Sequence, residues 1–267
     1  MRGRNPIEAV RGLRLRGVSV RSATANGRPE KTALLVARRI VGDIRRNGHV
    51  AGDRLPPEVS MLEKYQVGRG TLRESLRFLE LQGVITLKPG PGGGPVVQKP
   101  DASNLATTLL LLLQFEDAQF ASVLEVRRAM DPLMARLAAS RMEPDRLKEL
   151  EQSVELMRTS LDDLEVFLVA NRTFHQAIAW ASGNPVYGLV LDALLDIADG
   201  TKVGVSYPAP RRAGILRAHA AIYDAIARHD ADASEEAMAR HMEEYIKYVT
   251  RRFPEVLTES VSWDAVG

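Results

Sequence analysis

Three histidines and one asparagine have the residue types and spacing needed to hold a metal ion. The segment "VANRTFHQAIAW" sets Asn171 and His175 four residues apart, on one face of a helix. "RAHAAIYDAI" carries His219 and "MARHMEEYIKY" carries His241, each amid apolar neighbours at helical spacing, so each imidazole is expected to face inward. One inward histidine alone reads as an ordinary core residue. Three on the helices of one bundle, with an oxygen donor one turn from the first, suit a divalent transition metal with imidazole and oxygen ligands. The chain has no cysteine, which removes thiolate ligands and disulfides and fits a reducing compartment. His49, in a turn, and His229, at a helix end, read as surface residues.

A second group of residues suits a polyanion. "GRGTLRESLRFLELQG" places Arg69, Arg73 and Arg77 at four-residue steps beside Leu72, Leu76 and Leu79. The leucines form a face that fixes a helix to its own domain, and the arginines form an exposed edge. Arg69 suits a bidentate contact to guanine, with Arg73 next, and Thr71 can reach a phosphate or a thymine methyl. Gly68 and Gly70 leave the helix start slim, so that free backbone N–H groups can approach a phosphate. Lys88 and the tip "PGPGGG", with Gly90 and Gly92, can lie against a neighbouring groove or backbone. A solvated charged helix would show the same arginine spacing; the surrounding elements favour nucleic acid.

Those elements read as follows. A helix begins at Thr32, with Leu34, Ala37, Val41 and Ile44 on one face, and "NGHVAGD" stops it. "LPPEVSMLEKYQV" allows a short second helix with Leu62 and Tyr65 facing inward. The arginine-edged helix is third, and "VITLK" and "PVVQK" flank the glycine tip as a hairpin. Three helices and a hairpin in this order make a winged helix-turn-helix, whose third helix enters the major groove. After "KPDAS" the chain is helical at 102–114, 117–142, 144–160, 163–182, 185–200, 211–228 and 233–253, with no strand-like run of any length. The expected fold is mainly α, an N-terminal winged helix-turn-helix followed by an all-α helical bundle. Its expected divisions are a flexible basic arm at 1–30, the winged domain at 31–100, the bundle at 101–255 and a tail at 256–267.

Charge follows the same division. Residues 1–100 hold 19 Lys and Arg against 8 Asp and Glu, or +11, and the other 167 hold 17 against 26, or −9, which sum to the net +2. A basic block joined to an acidic one suggests that only the first meets a polyanion. The 267 residues suffice for two modest domains. No apolar run approaches the roughly 20 residues that cross a bilayer, and the arginine-rich start lacks the apolar core of a secretory signal. The expected location is cytoplasmic, with no membrane partner.

Two resemblances rest on these words. "GDRLPPEVSMLEKYQVGRGTLRESLRFLELQGVITLKPGPGGG" resembles the N-terminal signature of GntR-type bacterial transcription regulators without a gap. Leu55, Pro56, Glu58, Val67, Arg69, Thr71, Leu72, Arg73, Glu74, Leu79 and Gly83 match. Pro57 and Gly68 replace serines that would cap helices, and Val59 stands where many relatives carry a DNA-touching arginine. Further on, "LEVRRAMDPLMARLAA", "NRTFHQAIAWASGNP", "RAHAAIYDAIARHDADAS" and "AMARHMEEYI" resemble the FCD effector domain of the FadR-type branch, over residues 103–252.

In metal-binding relatives the ligands are an Asp and a His four apart, then two histidines 22 apart, as His219 and His241 are here. The resemblance implies Asn171, His175, His219 and His241 as ligands of a divalent metal, zinc foremost, with nickel, manganese or iron as other occupants. Asn171 replaces the usual Asp, and its amide carbonyl brings no charge. Arg127, at the family's Glu-x-Arg position, is implied to grip an effector carboxylate; an ion pair with Glu125 or Asp131 is the other reading.

The function expected is a ligand-responsive transcription regulator, a repressor and not an enzyme. It would bind a pseudo-palindromic double-stranded DNA operator as a homodimer and respond to a small carboxylate or acyl metabolite. One alternative keeps DNA binding but replaces the metal with a directly bound acyl-CoA. A remote one is a metallohydrolase with Glu243 or Glu244 as base.

Overall fold

Apolar rows on three short helices build the first domain. The computed structural model describes residues 28–90 and 92–263, and the chain divides after Lys99 into two units. In the first unit, α1 (Arg28–Arg46), α2 (Glu58–Tyr65) and α3 (Arg69–Leu81) precede β1 (Ile85–Lys88) and β2 (Gly94–Val97). α1 buries Ala33, Val36, Ala37, Ile40 and Ile44. The face expected from Leu34 and Val41 is therefore rotated. Leu34 stays 36% exposed because the row through Val36 and Ile40 is the one that closes on α3. α2 likewise buries Met61 with Tyr65, leaving Leu62 at the margin. α1 starts at Arg28, and the rest of the arm expected at 1–30, residues 1–27, lies outside the described residues.

α3 is held from below. Leu72, Leu76 and Leu79 are buried, each contributing roughly 1.5–3 kcal/mol. The buried Ser75 hydroxyl donates to Ala33 O on α1 at 2.8 Å, with Thr71 O also in reach at 2.7 Å. Gln66 turns the chain between α2 and α3 with a left-handed φ of 56°, its N–H donating to Leu62 O at 3.0 Å. Neither Pro57 nor Gly68 supplies a side-chain cap, as the departures from the family signature imply. The Tyr65 hydroxyl donates to Asp43 Oδ2 at 2.7 Å and ties α2 to α1. Burial pushes the Asp43 carboxyl up, but hydrogen bonds from Lys64, Tyr65 and Arg46 outweigh it and bring it down to about 2. β1 and β2 pair antiparallel, from Ile85 opposite Val97 to Lys88 opposite Gly94.

The second unit is the expected helical bundle: α4 (Ser103–Phe115), α5 (Phe120–Arg141), α6 (Pro144–Thr159), α7 (Leu164–Ala181), α8 (Pro185–Ala198), α9 (Ala209–Ala227) and α10 (Ala231–Arg252). Side-chain caps start three of them: Asp163 accepts from Val166 N, Asn184 from Val186 N and Asp230 from Ala233 N. α5 begins later than expected because Asp117 takes a left-handed φ of 49° and Gln119 is extended. Phe120, Phe167 and Phe174 are fully buried at the centre.

Within the expected tail, residues 256–263 pack against the bundle. Val256 and Val261 are buried, Phe120 N donates to Glu259 O at 2.9 Å, and Val261 N donates to Ala118 O at 2.8 Å. Two apolar side chains and a short bridge hold these residues against the start of α5. Among the described residues no helix is long and apolar enough to cross a membrane.

Candidate functional site

The winged domain presents a basic face. Arg69 is the first residue of α3 and, with Gly70, Arg73 and Arg77, is exposed, while Thr71 is half-buried. Arg73 lies 3.4 Å from Glu58, both well exposed, so this pair is easily exchanged for a phosphate. Among the described residues neither Arg69 nor Arg77 has an ion-pair partner. Arg73, Arg77 and Lys88, with Glu58 and Glu80, line a groove of about 730 Å³ between α3 and the wing. A Cβ on Gly68 or Gly70 would meet no atom within 4 Å, so the domain itself does not require glycine there. Close approach of an outside molecule is a reason that remains. Val59 is 64% exposed on α2 and offers no charge.

At the wing, Gly90 (φ 91°) and Gly92 (φ 75°) adopt backbone conformations that favour glycine. Two residues not singled out by sequence shape the tip. A Cβ on Gly93 would stand 2.2 Å from Lys88 O, so no other residue fits that hairpin. Arg54 Nη1 donates to Gly92 O at 2.5 Å and braces the tip from the preceding loop. The Gly-rich run signalled a hairpin; only the path of the strands distinguishes Gly93 from its neighbours.

In the bundle the three histidines converge. α7 presents His175, α9 His219 and α10 His241, which are 4%, 0% and 7% exposed. One ligand atom from each lies within 4.8 Å of the other two. His219 Nε2 and His241 Nε2 stand 3.2 Å apart. Two nitrogens bound at about 2.0–2.1 Å to one tetrahedral ion are about 3.3 Å apart, so the spacing fits. His219 Nδ1 is 3.2 Å from Met157 Sδ, and a thioether can only accept, which favours the proton on Nδ1 and frees Nε2. Phe174 stacks on His219 with ring centroids 3.8 Å apart and fixes its plane. Asn171 is buried one turn before His175.

Burial pushes His175 and His219 well below the usual histidine range, and brings His241 down to about 3; the Arg127 charge acts in the same direction on all three. Neutral imidazoles are the form that ligates a cation. The donor set, three neutral imidazoles with an amide nearby, fits a divalent transition metal. A cleft of about 280 Å³ between α9 and α10 leads to His241, and Arg217, Arg240 and Glu244 stand on its walls.

Arg127 departs from the expected effector grip. It is 5% exposed, with Nε and Nη2 donating to Asp131 Oδ2 at 3.1 and 2.7 Å and Nη1 to Ala198 O at 3.0 Å. An incoming carboxylate would have to displace Asp131, so the internal ion pair is the reading that the geometry supports. Burial opposes the charge on Arg127, but the Asp131 carboxylate more than offsets it. Arg128, the next residue, pairs with Glu243 at 2.6 Å on the surface.

A basic recognition helix with a wing, followed in the same chain by a helical domain with a histidine-lined interior, defines a two-domain DNA-binding regulator. Residues 32–93 match the bacterial regulatory proteins of the gntR family, and residues 122–244 match the FCD domain. The chain belongs to the GntR-family regulators that carry an FCD domain. It is similar to the HTH-type transcriptional repressor NanR of Enterobacter sp., 29% identical over 204 residues, covering 74% of this chain and 78% of that protein. It is also similar to the HTH-type transcriptional regulator YcbG of Bacillus subtilis, 29% identical over 199 residues, covering 74% and 80%. The solved structure of a Streptococcus agalactiae GntR protein shares the fold, with a TM-score of 0.67, 23% identity, and coverage of 81% of this chain and 99% of that one.

Proposed function

We propose that this protein is a metal-dependent, effector-responsive repressor. Two copies bind a pseudo-palindromic operator, Arg69 and Arg73 of α3 reading bases while Thr71, Gly70, Lys88 and the Gly90–Gly92 tip meet the backbone. The word repressor is supported by the name of the NanR relative. The homodimer is supported by α4, which leaves Leu105, Leu112 and Phe115 at 42%, 59% and 80% exposure, and it matches the two-fold symmetry that helix-turn-helix dimers impose on their operators. Such a regulator would act in the cytoplasm, where its DNA lies.

The observation that carries the sensing role is the histidine cluster, above all the 3.2 Å between His219 Nε2 and His241 Nε2. His175, His219 and His241 would hold the ion, with Asn171 as a neutral oxygen donor and zinc as the foremost occupant. When bound, the ion supplies a positive charge and an open coordination position for a small carboxylate or an acyl compound bearing one. Arg217 and Arg240 at the α9–α10 cleft add attraction for an anion. Its binding lowers operator affinity only by as much as it prefers one arrangement of the dimer over the other.

Metal analysis of protein purified without chelator tests this reading, together with operator-binding titrations against a panel of carboxylates with and without EDTA. The expected results are near one equivalent of divalent metal per chain and an effector response that EDTA abolishes. Less than a tenth of an equivalent, with an intact response to acyl-CoA, would replace the metal reading by the metal-free one.

A further inference from the structure

Two buried polar atoms beside the histidine cluster have no hydrogen-bond partner, Asp131 Oδ1 on α5 and His175 Nδ1 on α7. They belong to adjacent side chains: Asp131 Oδ2 lies 3.5 Å from His175 Nδ1, and the two residues are 1% and 4% exposed. Orphaned polar atoms at such depth are rare in native proteins. A shift of a few tenths of an ångström brings the His175 Nδ1 within the ordinary N–H···O range of Asp131 Oδ2.

Asp131 is already oriented for that task. Arg127 holds its Oδ2 with two hydrogen bonds and leaves Oδ1 free. Burial pushes the Asp131 carboxyl up, and the charge and hydrogen bonds of Arg127 counter that push only in part. Arg127 is in turn fixed by Ala198 O at the end of α8. The carboxylate therefore sits on a braced support. It is not a member of the group of donor atoms that lie within 4.8 Å of one another, which consists of the three histidines. Its place is beside Nδ1 of the His175 ring.

We infer that Asp131 is a positioning residue for His175: its carboxylate accepts the Nδ1–H, fixes that tautomer, and leaves Nε2 as the metal-ligating atom. A neutral imidazole carries one ring proton, so a fixed Nδ1–H leaves the other nitrogen with its lone pair available. A carboxylate behind a ligating imidazole also raises its basicity and locks the ring plane. This matters more here because Asn171 brings no charge. Asp131 then supplies the anionic support for the cluster from the adjoining helix, with Arg127 as its counter-ion.

The inference rests on the metal reading proposed above, and the test separates the two. Two-bond 1H–15N spectra of the metal-free full-length protein, with His175 assigned by His175→Gln, report the tautomer. An Nδ1–H, Nε2-unprotonated pattern is expected, and an Nε2–H pattern overturns the positioning role. Zn2+ affinity is then measured by competition with a chromophoric chelator for the wild type, Asp131→Asn and Asp131→Glu. Asp131→Asn is expected to bind on the order of 10–100-fold more weakly, with partial recovery in Asp131→Glu. Unchanged affinity in Asp131→Asn overturns the role. If Asp131→Asn does not fold, the tautomer of the wild type decides alone. Failure of the wild type to take up Zn2+ removes the metal reading and the positioning role together, whereas uptake with an Nε2–H tautomer removes only the second.

Discussion

His219 on α9 and His241 on α10 face each other with their Nε2 atoms 3.2 Å apart in an interior that holds both imidazoles neutral. Such a pair is satisfied either by one Nε2–H donating to its neighbour or by both lone pairs facing one cation. His219→Ala or His241→Ala is expected to abolish stoichiometric Zn2+ uptake. Metal bound to the folded chain at a hundred times its Kd stabilises it by roughly 2.7 kcal/mol. Adding EDTA to the loaded wild type should therefore lower Tm, and EDTA should leave the Tm of His241→Ala unmoved.

Acid should destabilise the metal-free protein through the same histidines. His241 titrates near 3 in the fold, against about 6.5 in an unfolded chain, so the unfolded state binds more protons between those values. Stability is full above the unfolded value and falls as pH drops toward the folded one, by roughly 1.4 kcal/mol per pH unit for each such histidine. Urea denaturation in EDTA at pH 7.5, 6, 5 and 4 measures this, and His241→Gln should show a shallower slope. A flat profile from 6.5 to 4 would contradict it.

Arg69 has no ion-pair partner among the described residues and is exposed at the first position of α3. Arg69→Ala should cost about 1–3 kcal/mol of operator affinity and blur preference at one base position, with circular dichroism unchanged. Selection from a randomised duplex library, repeated with the variant, reads both effects. Uniform weakening without a blurred position would make Arg69 a phosphate contact instead.

Two glycines in the winged domain should behave oppositely. Gly93→Ala places a Cβ 2.2 Å from Lys88 O and should disrupt the wing, which thermal denaturation of the domain would report. Gly70→Ala meets no protein atom within 4 Å and should leave Tm unchanged or slightly raised. Its effect belongs in DNA binding, where the added methyl would obstruct approach to the helix start.

The exposed apolar side of α4 gives a test of self-association. Leu112→Glu combined with Phe115→Glu should lower the molar mass seen by light scattering from that of a dimer toward that of one chain. Operator affinity should fall with it, because a symmetric site engages two winged domains. A dimer of undiminished mass would shift that interface elsewhere.

Local periodicity made much of this legible. The leucines of α3 recur at helical spacing and are buried, and His175, His219 and His241 sit among apolar neighbours and are buried too. α1 misled because Leu34 and Val36 begin rows of similar apolar content, and only the packing on α3 chooses between them. Arg127 was ambiguous because one of its partners, Ala198 O, lies 71 residues away. The segment after residue 255 has no period that reveals its bridge to Ala118, and Gly93 looks like any glycine of its run until the hairpin path is known. What was missed depends on which distant atoms meet.

Glu259 and Val261 grip the backbone on either side of the point where α5 begins, at Ala118 and Phe120. Along that same helix come Arg127 and Asp131, the supports behind His175. A bulky fusion or proteolytic nick near residue 260 would therefore loosen the first turn of α5, and its damage would be felt at the imidazoles rather than at the cut.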